Sequence, residues 1–266
     1  MISRTAGHLA DEAPEPAIRQ IGIADIRLSL ARGWEDFLAR PTSMVALFVV
    51  YPAVGFVLSY AAFDYAILPL LVPIIAGFAL VGPLTTVGVF ELSRKHEAGA
   101  RDLRLADALS VLSGPSTGAI LRVGLMLFGL FVVWLVAARQ IVFSTIGAEA
   151  PAGLAAFLAQ VATTPQGQAM FILGNGVGFL FALAALVLGV FSLPMLVDGE
   201  TSAARAMATS LRACAENPVT IAAWGLTVAV LLALAMLPLF AGLVIVLPWL
   251  GHATWHLYRA AIDRAG

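Results

Sequence analysis

Charge is the scarcest ingredient of this sequence: Lys, Arg, Asp and Glu together make up 12% of 266 residues, about half of what soluble domains carry. The 15 basic and 16 acidic side chains leave a net charge of -1, so no electrostatic excess draws a nucleic acid. A single cysteine, Cys214, excludes an intrachain disulfide and any multi-cysteine metal or cluster site. Dinucleotide and P-loop glycine patterns, a GxSxG elbow and paired carboxylates at catalytic spacing are all missing. Residues 1–20 include Asp11, Glu12 and Glu15, and no apolar run starts before residue 43, so the start does not read as a signal peptide.

Hydrophobic residues, by contrast, form 61% of the chain and fall into long blocks. Windows of about 20 uncharged residues span a bilayer as helices, each closing its own backbone hydrogen bonds. A membrane barrel would need short alternating segments instead. The expectation is an all-α bundle of six transmembrane helices, at 43–60, 66–92, 120–146, 171–197, 219–237 and 239–258. Residues 1–24 read as a flexible tail and 25–262 as one integral membrane domain. Pro238 leaves room only for a tight hairpin between the last two helices.

Amphipathic stretches precede the membrane pairs. In the first, Leu30, Trp34, Phe37 and Leu38 share one face while Arg32, Glu35 and Asp36 occupy the other, as in a helix lying at the interface. A second carries Leu105, Leu109 and Leu112 on one side, and a third covers Thr201 to Glu216. Leu154, Phe157, Leu158 and Val161 suit an apolar connection resting on the opposite interface. Basic residues gather before helix one and after helices two, four and six, which by the positive-inside rule puts both termini in the cytoplasm of a bacterial inner membrane. Arg139, at the outward end of helix three, is the exception: it either snorkels to the outer interface or attracts anions to a vestibule.

A proline followed eleven residues later by an arginine recurs three times, as Pro83 and Arg94, Pro194 and Arg205, Pro248 and Arg259. Prolines 41, 115 and 218 open the first helix of each pair. The recurrence reads as three pseudo-repeated hairpins, each preceded by a short interfacial helix. Arginines at the ends of membrane helices also arise simply because they reach lipid phosphate.

Chemistry-bearing residues are few. His252 and His256 are four apart and share a helix face, and Glu91 holds the corresponding place in helix two if the repeat is real. Two imidazoles and a carboxylate are a donor set for zinc, iron or haem, or a proton relay; the plainer reading is packed and interfacial histidines. No resident cofactor is expected. Glu91 follows an apolar stretch, where a carboxylate needs Arg94, a histidine or water, and a salt bridge joining two hairpins is the simplest such use. The glycines and prolines of helix two, around Gly82 and Pro83, allow a broken helix of the kind transporters use.

The C-terminal third carries recognisable residues: Ser192-Leu193-Pro194-Met195, Asp198, Ala206-Met207, Asn217-Pro218 and the run Pro248-Trp249-Leu250-Gly251-His252-Ala253-Thr254-Trp255-His256. On these the chain resembles a family of uncharacterised, predicted bacterial polytopic membrane proteins, over most of residues 25 to 262. Some members of that family carry labels linking them to cytochrome oxidase. The six-histidine arrangement of a haem–copper subunit is absent, since the chain has only four histidines. The resemblance implies an accessory role. The function expected is therefore an accessory or scaffold protein that associates with membrane lipids and other membrane proteins. The alternatives are a homo-oligomeric channel or transporter for a small solute, or an intramembrane metal-binding protein.

Overall fold

The computed structural model describes residues 15–39, 48–63, 86–100, 102–147 and 154–263. Pro41, Pro83 and most of the expected second membrane helix lie outside them. Among the described residues the chain is all-helical, with a single isolated bridge joining Ile18 to Ile262. The helices are α1 (Ile23–Ala39), α2 (Val50–Phe63), α3 (86–97), α4 (Leu105–Leu109), α5 (Thr117–Thr145), α6 (Leu154–Thr163), α7 (Pro165–Gly189), α8 (Ser192–Val197), α9 (Ala203–Glu216), α10 (Pro218–Met236) and α11 (Leu243–Ala261).

Among the described residues three stretches are long and apolar enough to cross a membrane: Thr117–Thr145, Pro165–Val197 and Pro218–Met236. They coincide with the third, fourth and fifth expected spans. α11 reaches 19 residues, but His252, His256 and Arg259 occupy its second half. It is not one of the three. The first and second expected spans fall partly outside the described residues.

Local chemistry fixes the helix ends. Thr164 caps α7, its hydroxyl accepting from the Gly167 amide at 3.0 Å, and Pro165 takes the first helical turn, where a missing N–H costs nothing. Pro218 opens α10 in the same way, directly after α9 ends at Asn217. Between α7 and α8 the helix breaks, because Pro194 has no amide to donate and its ring crowds the carbonyl of Val190. Ser210 of α9 repairs the break: its hydroxyl accepts from the Phe191 amide at 3.3 Å and donates to the Val187 carbonyl at 2.6 Å. An amphipathic helix thereby supplies partners for the Phe191 amide and the Val187 carbonyl, an i→i−4 pair that the break leaves apart.

α10 and α11 form the tight hairpin expected at Pro238. Leu239 and Phe240 adopt φ of 51° and 65°, in the left-handed region that side chains seldom occupy. Phe240 packs against Gly55 of α2, where an added Cβ would lie 2.6 Å from the ring. Gly242 lets the two helix backbones meet, its missing Cβ standing 2.7 Å from Ala235 Cα.

The core lies where α1, α3, α8, α9 and α11 meet the first turns of α5 and α10. Phe191, Leu196, Trp224, Trp255, Leu257 and Ile262 are fully buried at its centre. A second cluster joins Phe37, Phe48, Tyr51, Val89, Leu92 and Leu243. The most extensive helix pairing is between α1 and α11. They run antiparallel, Ile18 meeting Ile262, Gly33 meeting Ala253 and Trp34 meeting Trp249. Gly33 makes this approach close: a Cβ there would sit 2.5 Å from the Ala253 nitrogen.

This pairing corrects the expected orientation of α1. The periodicity places Asp36 with Arg32 and Glu35 on a solvent face, yet the buried residues are Ile26, Ser29, Gly33, Asp36 and Phe37. Leu28, Trp34 and Leu38 are the exposed ones. The stripe of Ser29 and Gly33 decides the outcome, because small side chains let two backbones touch and carry Asp36 inward with them.

Candidate functional site

Asp36 is the centre of a polar cluster inside this α1–α11 contact. One carboxylate oxygen lies 2.8 Å from His96 Nδ1 and the other 2.9 Å from His256 Nε2. Ser93 Oγ donates to the second oxygen at 3.3 Å and stands 2.6 Å from His252 Nδ1. His252 Nδ1 is itself 3.7 Å from that oxygen. Three segments distant in sequence therefore converge on one carboxylate: α1 gives Asp36, the end of α3 gives Ser93 and His96, and α11 gives His252 and His256.

Burial favours the neutral acid, but the hydrogen bond from His256, the nearby imidazoles of His252 and His256, and the hydrogen bond from His96 together hold the Asp36 carboxyl below its ordinary 3.8. An ionised carboxylate only accepts, so His96 Nδ1 and His256 Nε2 are the donors. Each needs one proton for this, which a neutral imidazole has. Ser93 has a single proton, and the arrangement closes if His252 Nδ1–H donates to Ser93 and Ser93 donates on to Asp36.

This order differs from a nucleophilic triad. There the histidine stands between serine and carboxylate and the serine faces a cleft. Here the serine stands between, and Ser93 is buried. The geometry holds helices together. Among the described residues no group of three or more His, Cys, Asp or Glu side chains is arranged to hold a metal ion. The imidazole nitrogens reach the carboxylate oxygens directly, at hydrogen-bond distance.

Glu91, grouped with His252 and His256 at the sequence level, sits elsewhere. Its buried carboxylate takes a two-point pair from Arg94, at 2.8 and 2.7 Å, with Lys95 3.7 Å away. Ser110 adds a hydrogen bond at 3.3 Å. Lys95 continues to Asp107 at 3.0 Å. The backbone amide of Arg104 and then Lys95 hold the Asp107 carboxyl below its ordinary range. Glu91 thus ties α3 to the turn after α4, on the same side of the chain, with its strongest bond inside its own helix.

The three recurrent arginines each meet a carboxylate. Arg94 meets Glu91, Arg205 lies 3.5 Å from Glu200, and Arg259 contacts Glu97 at 3.1 Å and Asp198 at 3.4 Å. Glu97 also accepts from Trp255 Nε1, and Asp198 from the Tyr258 hydroxyl. Arg259 accordingly links the ends of α3, α8 and α11. Pro194 is buried within α8 and Pro248 within α11. Arg139 is exposed near the far end of α5, with no hydrogen bond or ion pair among the described residues.

Asp36, Ser93 and His96 are the members that the sequence did not single out. The signal was present: Ser29, Gly33 and Asp36 fall on one stripe at helical spacing, and a small-residue stripe ending in a carboxylate marks a helix-contact face.

Residues 70–198 match a family described as predicted integral membrane protein (DUF2189). The match contains Ser93 and His96 but neither Asp36 nor the histidines of α11. No curated protein and no solved structure matches the chain.

Proposed function

We propose that this chain, whose residues 70–198 match that family of predicted integral membrane proteins, is a non-catalytic accessory or scaffold protein, associating through its membrane helices with lipid and with other membrane proteins. One observation carries the reading. In the most apolar windows of the spans Thr117–Thr145, Pro165–Val197 and Pro218–Met236, only 17%, 44% and 22% of residues are buried by the chain itself. Long helix flanks are left for lipid tails or partner helices. Meanwhile the buried acids Asp36 and Glu91 are engaged by basic or imidazole groups of the same chain, which binds the fold together. The distribution of arginines supports an inner-membrane location with both ends cytoplasmic.

Native mass measurement in nanodiscs, with co-purifying proteins identified, tests the proposal. A stable heteromeric mass supports it. A self-assembled ring that passes solute in a liposome flux assay replaces it with the channel reading.

A further inference from the structure

A cavity of about 360 Å³ opens between residues 19–21, α1 and the last turns of α11. Its lining contains three arginines, Arg19, Arg32 and Arg259, with His256, against one acid, Asp25. That acid is engaged locally, accepting from the Gly22 amide at 2.8 Å.

The arginines are not equivalent. Arg19 is held by Asp263 through Nε and one terminal nitrogen, and Arg259 by Glu97 and Asp198 through Nε and Nη1. Each retains a further N–H group. Arg32 has no hydrogen bond or ion pair among the described residues, so its whole guanidinium is available. Ser29, 2% exposed, also lines the cavity, and its hydroxyl makes no hydrogen bond among the described residues. Two anchored guanidiniums, one unengaged guanidinium and a buried hydroxyl converge on one space. Guanidinium donors suit the tetrahedral oxygens of a phosphate, and anchored arginines lose little side-chain freedom on binding.

The surroundings identify the source of that phosphate. Leu28 lines the same cavity and is 48% exposed, and Ile23, at the start of the same helix, is 46% exposed. An apolar surface beside a cationic cavity fits a molecule with an acyl chain next to its phosphate, whereas free phosphate gains nothing from it. We propose that this cavity binds the phosphate of an anionic phospholipid headgroup. The proposal rests on the membrane reading above and names a lipid partner for it.

The test uses the full chain in detergent, titrated with phosphatidic acid, phosphatidylcholine or inorganic phosphate, with bound lipid counted by native mass spectrometry. Wild type should retain phosphatidic acid in preference to phosphatidylcholine, and millimolar inorganic phosphate should compete with it. Arg32→Gln should weaken retention roughly tenfold, Arg32→Lys should weaken it less, and Arg139→Gln, far from the cavity, should leave it unchanged. Equal retention by wild type and Arg32→Gln, or no preference for the anionic lipid, overturns the proposal. Binding of inorganic phosphate without any lipid retention overturns the lipid assignment. Arg32 holds no other element in place, so Arg32→Gln should remain folded by circular dichroism. Resistance of both proteins to carbonate extraction from membranes reads the membrane assignment separately.

Discussion

Replacing Gly33 by alanine sets two effects of opposite sign against each other. In an exposed helix the change gains about 1 kcal/mol, because alanine restricts the unfolded backbone and favours helix. At position 33 the new methyl would stand 2.5 Å from the Ala253 nitrogen and 2.8 Å from its Cα. Backbone cannot turn aside as a flexible side chain can, so α1 has to retreat by about 1 Å to restore ordinary contact. Asp36 lies one turn further along, and its bonds of 2.8 and 2.9 Å to His96 and His256 lengthen beyond useful range with the same retreat. Strain held in place costs about 1–3 kcal/mol, and the lost charged hydrogen bonds cost as much or more. Subtracting the helix gain leaves a net destabilisation of up to about 2 kcal/mol if the strain is held, and as much or more if the bonds are lost. Hydrogen exchange across residues 23–39 in nanodiscs, together with unfolding in mixed micelles, reads it directly. A variant more protected and more stable than wild type, as helix preference alone demands, would refute the close α1–α11 packing.

Asp36→Ala should lose about 1–3 kcal/mol, the usual cost of leaving buried donors without their acceptor, and Asp36→Asn should lose less. Since the folded-state carboxyl titrates below its ordinary 3.8, the stability it contributes is fully present above that range and declines as pH falls through the lowered value; wild type and Asp36→Ala should converge in acid unfolding curves. Asn217→Ala removes the acceptor of the Ile21 amide and the donor to the Arg19 and Ala213 carbonyls, so it should cost about 2 kcal/mol and speed protease cleavage near residue 20. Burial pushes the Cys214 thiol up to about 11, only partly offset by a hydrogen bond with Ser210, so about one molecule in a thousand carries the thiolate at pH 8. Maleimide labelling of the folded protein should be far slower than of the denatured protein, and equal rates would contradict the burial.

The apolar helices were legible because a bilayer demands the same thing of every spanning segment, and the blocks ending near Thr145, Val197 and Met236 meet that demand by composition alone. The start of α10 was legible for a similar reason, since Pro218 acts on its own backbone, whereas the break before Pro194 fell inside a span expected to be continuous. Asp36 was not legible, because hydrophobic periodicity sorts residues by polarity and has no means of showing that Ser29 and Gly33 bring a partner backbone within contact. The need of Glu91 for a counter-charge followed from its apolar surroundings. Which charge would answer depended on distances, and Arg94, one turn along, was nearer than any residue of α11. His252 and His256 shared a face as their spacing requires, but their common partner came from the other end of the chain.

That separation has a consequence for biogenesis. Asp36 and His256 are 220 positions apart, and Trp249 reaches the Leu30 carbonyl across 219. At ribosomal rates of about 5–20 residues per second, α1 waits on the order of 10–40 s for the helix it packs against. During that interval its carboxylate has neither imidazole of α11, and its exposed leucines make the membrane surface the natural resting place. A helix made late therefore completes one made early, and a ribosome stalled before residue 243 would leave a chain whose spans at 117–145, 165–197 and 218–236 are made while α1 is still undocked.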